Sequence, residues 1–265
     1  MLTTLSLYAA VGTVAGILAG LLGIGGGLVI VPMLIFAFGL QKIAPELIMH
    51  LALGTSLASI IFTSISSFRA HHKKGAVRWD VVKRITPGIL LGTFLGSFLA
   101  ALLPTGALKA IFVVFLYHVA TQMLRNIKPP KARQLPGTVG LFGAGNIIGA
   151  FSSLVGIGGG SLSVPFLTWC NISVHHAIGT ASAIGLPIAL AGAFGYVVNG
   201  LGAPNLPPYA LGYVHGIALL GIISFSVLTA PLGAKLAHAL PVKKLKQIFA
   251  LLLYVVATRM LLTLF

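Results

Sequence analysis

Two five-residue clusters carry the chemistry this chain can offer. Gly23-Ile24-Gly25-Gly26-Gly27 and Gly156-Ile157-Gly158-Gly159-Gly160 each hold four glycines, and each is followed by a Val-Pro pair, Val31-Pro32 and Val164-Pro165. Both lie inside long apolar stretches, where glycine is a poor helix former, about 1 kcal/mol worse than alanine. What glycine exposes is its own main chain. A helix that restarts after such a break presents unbonded N–H groups and the positive end of its dipole, which together attract anions. The segments from Leu28 and from Ser161 are the expected half-helices. Gly25, Gly26, Gly27, Gly158, Gly159, Gly160 and Ser161 are therefore the expected backbone ligands of an anion. The plainer alternative, glycines that only let two helices cross closely, suits a lone G-x-x-x-G better than a doubled cluster. Neither cluster is a Walker loop, since no Lys-Ser/Thr follows, and the G-x-G-x-x-G spacing of a dinucleotide fingerprint is missing.

The remaining polar residues within the apolar runs are few. Thr55, Ser56 and Ser59, with Thr180 and Ser182, stand near the starts of the runs after the breaks. Thr55 and Thr180 each follow a glycine and could donate to anion oxygens, or bond back to their own helix carbonyls. Asn146, Ser152, Ser153, Ser161 and Ser163 make the second broken stretch the more polar one, because the first is mostly apolar at those places, with Ala and Leu among them. His50 and His175 lie four residues before Gly54 and Gly179. They could carry a coupling proton or gate the path, or simply face water. Arg259 could meet substrate or snorkel to headgroups. Glu46 and Asp80 are the only side-chain carboxylates, which excludes a paired-carboxylate hydrolase and a calcium or magnesium cage. The single cysteine, Cys170, excludes an internal disulfide and a cysteine metal cluster. His175-His176 has no H-E-x-x-H context. No catalytic residue, cofactor or metal is expected, and the chain does not read as an enzyme.

These residues must be held by membrane helices. The 265 residues are 57% hydrophobic and 7% charged, against about 25% charged for soluble domains, and mean hydropathy is +1.05. The apolar runs suit helical spans of about 20 residues, not the short alternating segments of a β-barrel. The N-terminal run lacks the basic start of a cleavable signal. The net charge of +15 does not point to nucleic acid, because the basic residues sit in short loops between apolar runs, where they set orientation.

The chain repeats itself. Besides the glycine clusters, Gly54-Thr55 with Ala58 matches Gly179-Thr180 with Ala183, and Leu103 to Leu124 aligns without gaps on Leu240 to Leu261. The expected division is a first membrane repeat over 1–128, a basic cytoplasmic linker over 129–136 and a second repeat over 137–265. Each repeat has a glycine-broken stretch (5–39 and 137–172) and three further runs: 47–68, 79–103 and 106–125, then 175–198, 209–238 and 242–264. Gly88, Gly92 and Gly96 form a small-residue packing face. If each broken stretch returns to the side it entered from, each repeat crosses three times and the second is inverted. The basic segments 69–84, 125–133 and 235–246, with 14 of the 17 Lys and Arg, then all face the cytoplasm, as the positive-inside rule prefers. The expected fold is an all-α polytopic membrane protein of two inverted repeats, each a glycine-broken helical hairpin or discontinuous helix plus three transmembrane helices.

The segments GTVAGILAGLLGIGGGLVIVPML and GAFSSLVGIGGGSLSVPFL, with the downstream AIGTASA, resemble the sulfite exporter TauE/SafE transporters over nearly the whole chain. The resemblance implies a multi-pass transporter of the cell inner membrane for small anions, often sulfur-containing, such as sulfite or an organosulfonate like sulfoacetate. The two glycine motifs and the Gly-Thr segments would form its central region. The expected function is a secondary transporter, an exporter by the resemblance, that moves the oxyanion by alternating access. A passive anion channel and a permease for a non-sulfur anion are the alternatives. Expected partners are the oxyanion and the lipid bilayer, with no nucleic acid, and the sequence leaves monomer or homodimer open.

Overall fold

The computed structural model describes residues 2–22, 26–125, 134–239 and 242–263, and the side chains of these except 2–5, 18–22, 230–231, 233–239 and 242–246. Among the described residues ten helices follow one another: α1 Leu2–Leu22, α2 Gly27–Leu40, α3 Pro45–Lys73, α4 Trp79–Leu102, α5 Thr105–Leu124, α6 Thr138–Val155, α7 Gly160–Trp169, α8 Val174–Gly200, α9 Gly216–Ala239 and α10 Val242–Leu262. Local chemistry sets several starts. Pro45 opens α3, where its missing N–H costs nothing. Ser173 caps α8 by accepting from the His176 N–H.

Five helices, α3 to α6 and α8, are long and apolar enough to cross a membrane. Large apolar side chains such as Leu102, Val139 and Ile147 stand exposed on the outer surface, as a lipid-facing surface requires. The expected helical membrane fold holds in that form. Two boundaries differ from expectation. The helix α3 runs through Lys73, so Arg69, His71, His72 and Lys73 of the first basic segment are helical, where cationic groups favour a helix C-terminus. The run expected over 209–238 opens instead with a hairpin, β1 Ala210–Leu211 paired antiparallel with β2 Val214–His215. Gly212 turns it at φ +54, and the Tyr213 N–H donates to Tyr196 O on α8. Much of the expected linker lies outside the described residues.

The helices pack in reciprocal pairs: α4 on α6 and α9 on α1, α8 on α4 and α3 on α9, α7 on α8 and α2 on α3. The helices α3 and α8 also pack on each other, as do α5 and α10. The expected glycine face is used. A Cβ on Gly88, Gly92 or Gly96 would collide with the main chain of Phe142, Asn146 or Ala150 on α6, and one on Gly145 or Gly149 with α4. Backbones touching this closely give van der Waals contact that larger residues would prevent. The helix α3 is central: 78% of its apolar window is buried, against 39% for α5 and for α6. Helices α1 and α2 form a hairpin, because Tyr8, early in α1, meets the end of α2. Its ring lies edge-on to Phe38 and its hydroxyl pairs with the Gln41 side chain.

Candidate functional site

The second break is fully drawn. Helix α6 ends in a Schellman turn: the Ile157 N–H donates to Ser152 O at 3.1 Å and the Gly156 N–H to Ser153 O, with Gly156 left-handed at φ +66, a conformation only glycine adopts cheaply. The chain then restarts as α7, whose first intrahelical bond runs from the Ser163 N–H to Gly159 O at 2.8 Å. The N–H groups of Gly160, Ser161 and Leu162 belong to that first turn, which has no intrahelical acceptor for them, and no side chain caps it. At the first break Gly26, at φ +78, caps α2 without a side-chain bond, and its carbonyl accepts from the Val29 and Ile30 N–H groups at 3.0 Å each. Gly25 lies outside the described residues.

The two breaks meet. A Cβ on Gly27 would stand 2.8 Å from Gly156 O and 3.0 Å from Ile157 Cα. Residues 26–32 and 156–159 are buried, so the second break and the described part of the first face protein. Ser56 donates to Gly156 O at 2.8 Å and the Tyr196 hydroxyl to Ser153 O at 3.0 Å, which fixes the end of α6 from α3 and α8.

Around the second break are hydroxyls with nothing to bond. The Oγ atoms of Ser152, Ser153, Ser161 and Ser163 are buried without a hydrogen-bond partner. An orphaned buried hydroxyl costs about 1–3 kcal/mol, and four flank this one break. The aligned places of the first repeat hold Ala19, Gly20, Leu28 and Ile30. Among the described residues no group of three His, Cys, Asp or Glu could hold a metal ion.

The other expected residues are not gathered here. Thr55 Oγ1 accepts the His215 N–H and Thr180 Oγ1 accepts the Arg78 N–H, each at 3.0 Å. A Cβ on Gly54 would collide with Tyr213 O, and one on Gly179 with Ala76 O. Each Gly-Thr pair thus seats the segment that leads into α9 or α4. Ser59 and Ser182 bond back to Ser56 O and Gly179 O within their own helices. His50 is buried, with Nδ1 3.3 Å from Glu46 O and Nε2 3.1 Å from Ala100 O, whereas His175 is exposed at the start of α8. Arg259 is exposed on α10, which packs on α5. Sequence reasoning missed His215. Its Nδ1 accepts the Ala218 N–H at 3.2 Å, so the neutral ring carries its proton on Nε2, and the ring stacks near Phe38 and Tyr8. The signal was weak, a single histidine before an apolar run.

Comparison with known proteins agrees with the architecture. The model of the family described as Sulfite exporter TauE/SafE matches residues 8–260. A "Probable membrane transporter protein" of Haemophilus influenzae is 41% identical over 98% of this chain and 99% of its own length. Proteins with similar names from Methanocaldococcus jannaschii, 30% identical over 98% of this chain and 97% of their own, and Bacillus subtilis, 26% over 88% and 90%, also match. No solved structure matches the chain. With the family model spanning almost every residue, the chain belongs to the sulfite exporter TauE/SafE family, whose members are multi-pass membrane transporters rather than enzymes.

Proposed function

We propose that the chain is a secondary transporter that exports a small oxyanion, sulfite or an organosulfonate, across the inner membrane. One observation carries this reading: the two glycine breaks meet inside protein, and the second is flanked by four partnerless serine hydroxyls. Irregular backbone at membrane depth survives only against protein or a polar cavity, and paired broken helices mark transporter binding sites. An oxyanion supplies what the break lacks, several acceptor oxygens and a negative charge for the dipole end of α7. Gly158, Gly159, Gly160 and Ser161 hold it, and Gly26 and Gly27 form the opposing wall. Thr55 and Thr180 seat the segments that lead into α9 and α4.

The reciprocal packing pairs and the α1–α2 hairpin support two inverted repeats, 1–128 and 137–265, with the basic segments on the cytoplasmic side. Alternating access is then movement of α1–α2 and α6–α7 against the remaining helices. His50 is the coupling-proton carrier in this account. Its ring is buried, and both nitrogens lie within reach of carbonyl oxygens, those of Glu46 and Ala100.

Purified protein in liposomes loaded with sulfite, thiosulfate, sulfoacetate or acetate tests this. Counterflow with at least one sulfur oxyanion and uphill accumulation under a pH or anion gradient are expected. Flux that only dissipates gradients assigns the chain as a channel, and silence across the panel overturns the reading.

A further inference from the structure

We infer that the cargo has one site per chain, not two related ones, and that it is the slot between Ser64 on α3, Gly185 on α8 and the N-terminus of α7. This rests on the anion reading above and deepens it. Ser64 is 5% exposed and makes no hydrogen bond among the described residues. A Cβ on Gly185 would stand 3.0 Å from Ser64 Oγ and 3.6 Å from the backbone nitrogen of Gly159. The absence of a side chain at Gly185 therefore lets the Ser64 hydroxyl and a main-chain nitrogen of the break approach the same point. The partnerless hydroxyls of Ser161 and Ser163 follow on α7.

The repeat supplies the comparison. Six residues after Gly179 stands Gly185, but six after Gly54 stands Ile60; ten after Gly54 stands Ser64, but ten after Gly179 stands Ala189. Ile60 borders both breaks, with Cδ1 3.1 Å from a Cβ placed on Gly27 and Cγ2 3.2 Å from one placed on Gly158, but the first break's aligned positions Leu28 and Ile30 carry no hydroxyl. At the Ile60/Gly185, Leu28/Ser161 and Ile30/Ser163 places the first half is filled or apolar and the second is not, while the hydroxyl of Ser64, itself in the first half, lies toward the second break. A small anion needs donors, and among the described residues only the second break adds partnerless hydroxyls to its first-turn amides. The ligand is a compact oxyanion that accepts from neutral donors, namely amides and serine hydroxyls.

Calorimetric titration of detergent-purified protein with sulfite and with thiosulfate tests this. Wild type is expected to bind one anion per chain. Ser64→Ala, which removes a hydroxyl that makes no hydrogen bond among the described residues, is expected to weaken binding at least fivefold and leave the ligand-free melting temperature unchanged or higher. Gly185→Ala, whose methyl enters the slot, is expected to weaken it at least tenfold. Wild-type affinity in both variants, or two anions per chain, overturns the single slot while the anion reading stands. No binding of either probe by wild type fells both. Should Gly185→Ala fail to fold, Ser64→Ala decides alone.

Discussion

Thr55 and Ser163 look alike in sequence, as hydroxyls in apolar helices, yet the fold gives them opposite work. Thr55 accepts a main-chain N–H from another segment, as does Thr180, whereas Ser163 Oγ has no partner. Stability and function should separate accordingly. Thr55→Val leaves the buried His215 N–H unbonded and is expected to cost about 1–3 kcal/mol of stability, read as a lower melting temperature. Thr180→Val, whose Arg78 partner is only part-buried, is expected to cost less, and in both the folded fraction keeps its anion affinity. Ser163→Ala is expected to hold or raise the melting temperature and to slow counterflow. His50 offers a third test. His50→Gln removes the ring that reaches Glu46 O and Ala100 O, and is expected to abolish uphill accumulation under a pH gradient while counterflow persists. Sequence showed which residues were polar inside apolar runs. It did not show which hydroxyls were spent on distant backbone, because partners such as Thr55 and His215 lie 160 residues apart.

Elements were more legible, because glycine spacing and apolar length act locally. The start of α2 at Gly27, the end of α6 at Val155 and the close α4–α6 face at Gly88, Gly92 and Gly96 all follow from residues read in one place. The hairpin at 210–215 did not, since its residues are as apolar as a span and only its docking on Tyr196 separates it from α9. That the two breaks meet follows from their pairing in the repeat, whereas the residues that touch, Gly27 with Gly156 and Ile157, do not follow from spacing. Gly92→Ala drives a methyl into the Asn146 main chain and is expected to cost about 1–3 kcal/mol as overpacking, with a melting shift and no change in substrate preference. Gly27→Ala presses on Gly156 O and Ile157 Cα, so it should impair transport as well as stability.

Across the whole molecule, charge is kept outside. The buried polar and charged residues described include no Lys, Arg, Asp or Glu, and the single described ion pair, Arg78–Asp80, is exposed. Neutral donors offset one negative charge far better than two, because the cost of burying an ion rises steeply with its charge. Transport of an oxyanion that titrates between mono- and dianion near neutrality is therefore expected to quicken as pH falls, measured at fixed total concentration without a pH gradient. The inverted arrangement makes its own statement. In a Cys170→Ala background, a cysteine replacing Lys74 should react with an impermeant maleimide only from the cytoplasmic side, and one replacing Gly202 only from outside. The most direct test of the account is a structure with selenite, a sulfite analogue whose selenium can be located by its anomalous signal. The account predicts selenium within hydrogen-bonding reach of the first-turn amides of α7, beside Gly159, Gly160 and Ser161. Selenium bound instead at the exposed basic segment 69–84, with the α7 amides unoccupied, would contradict it.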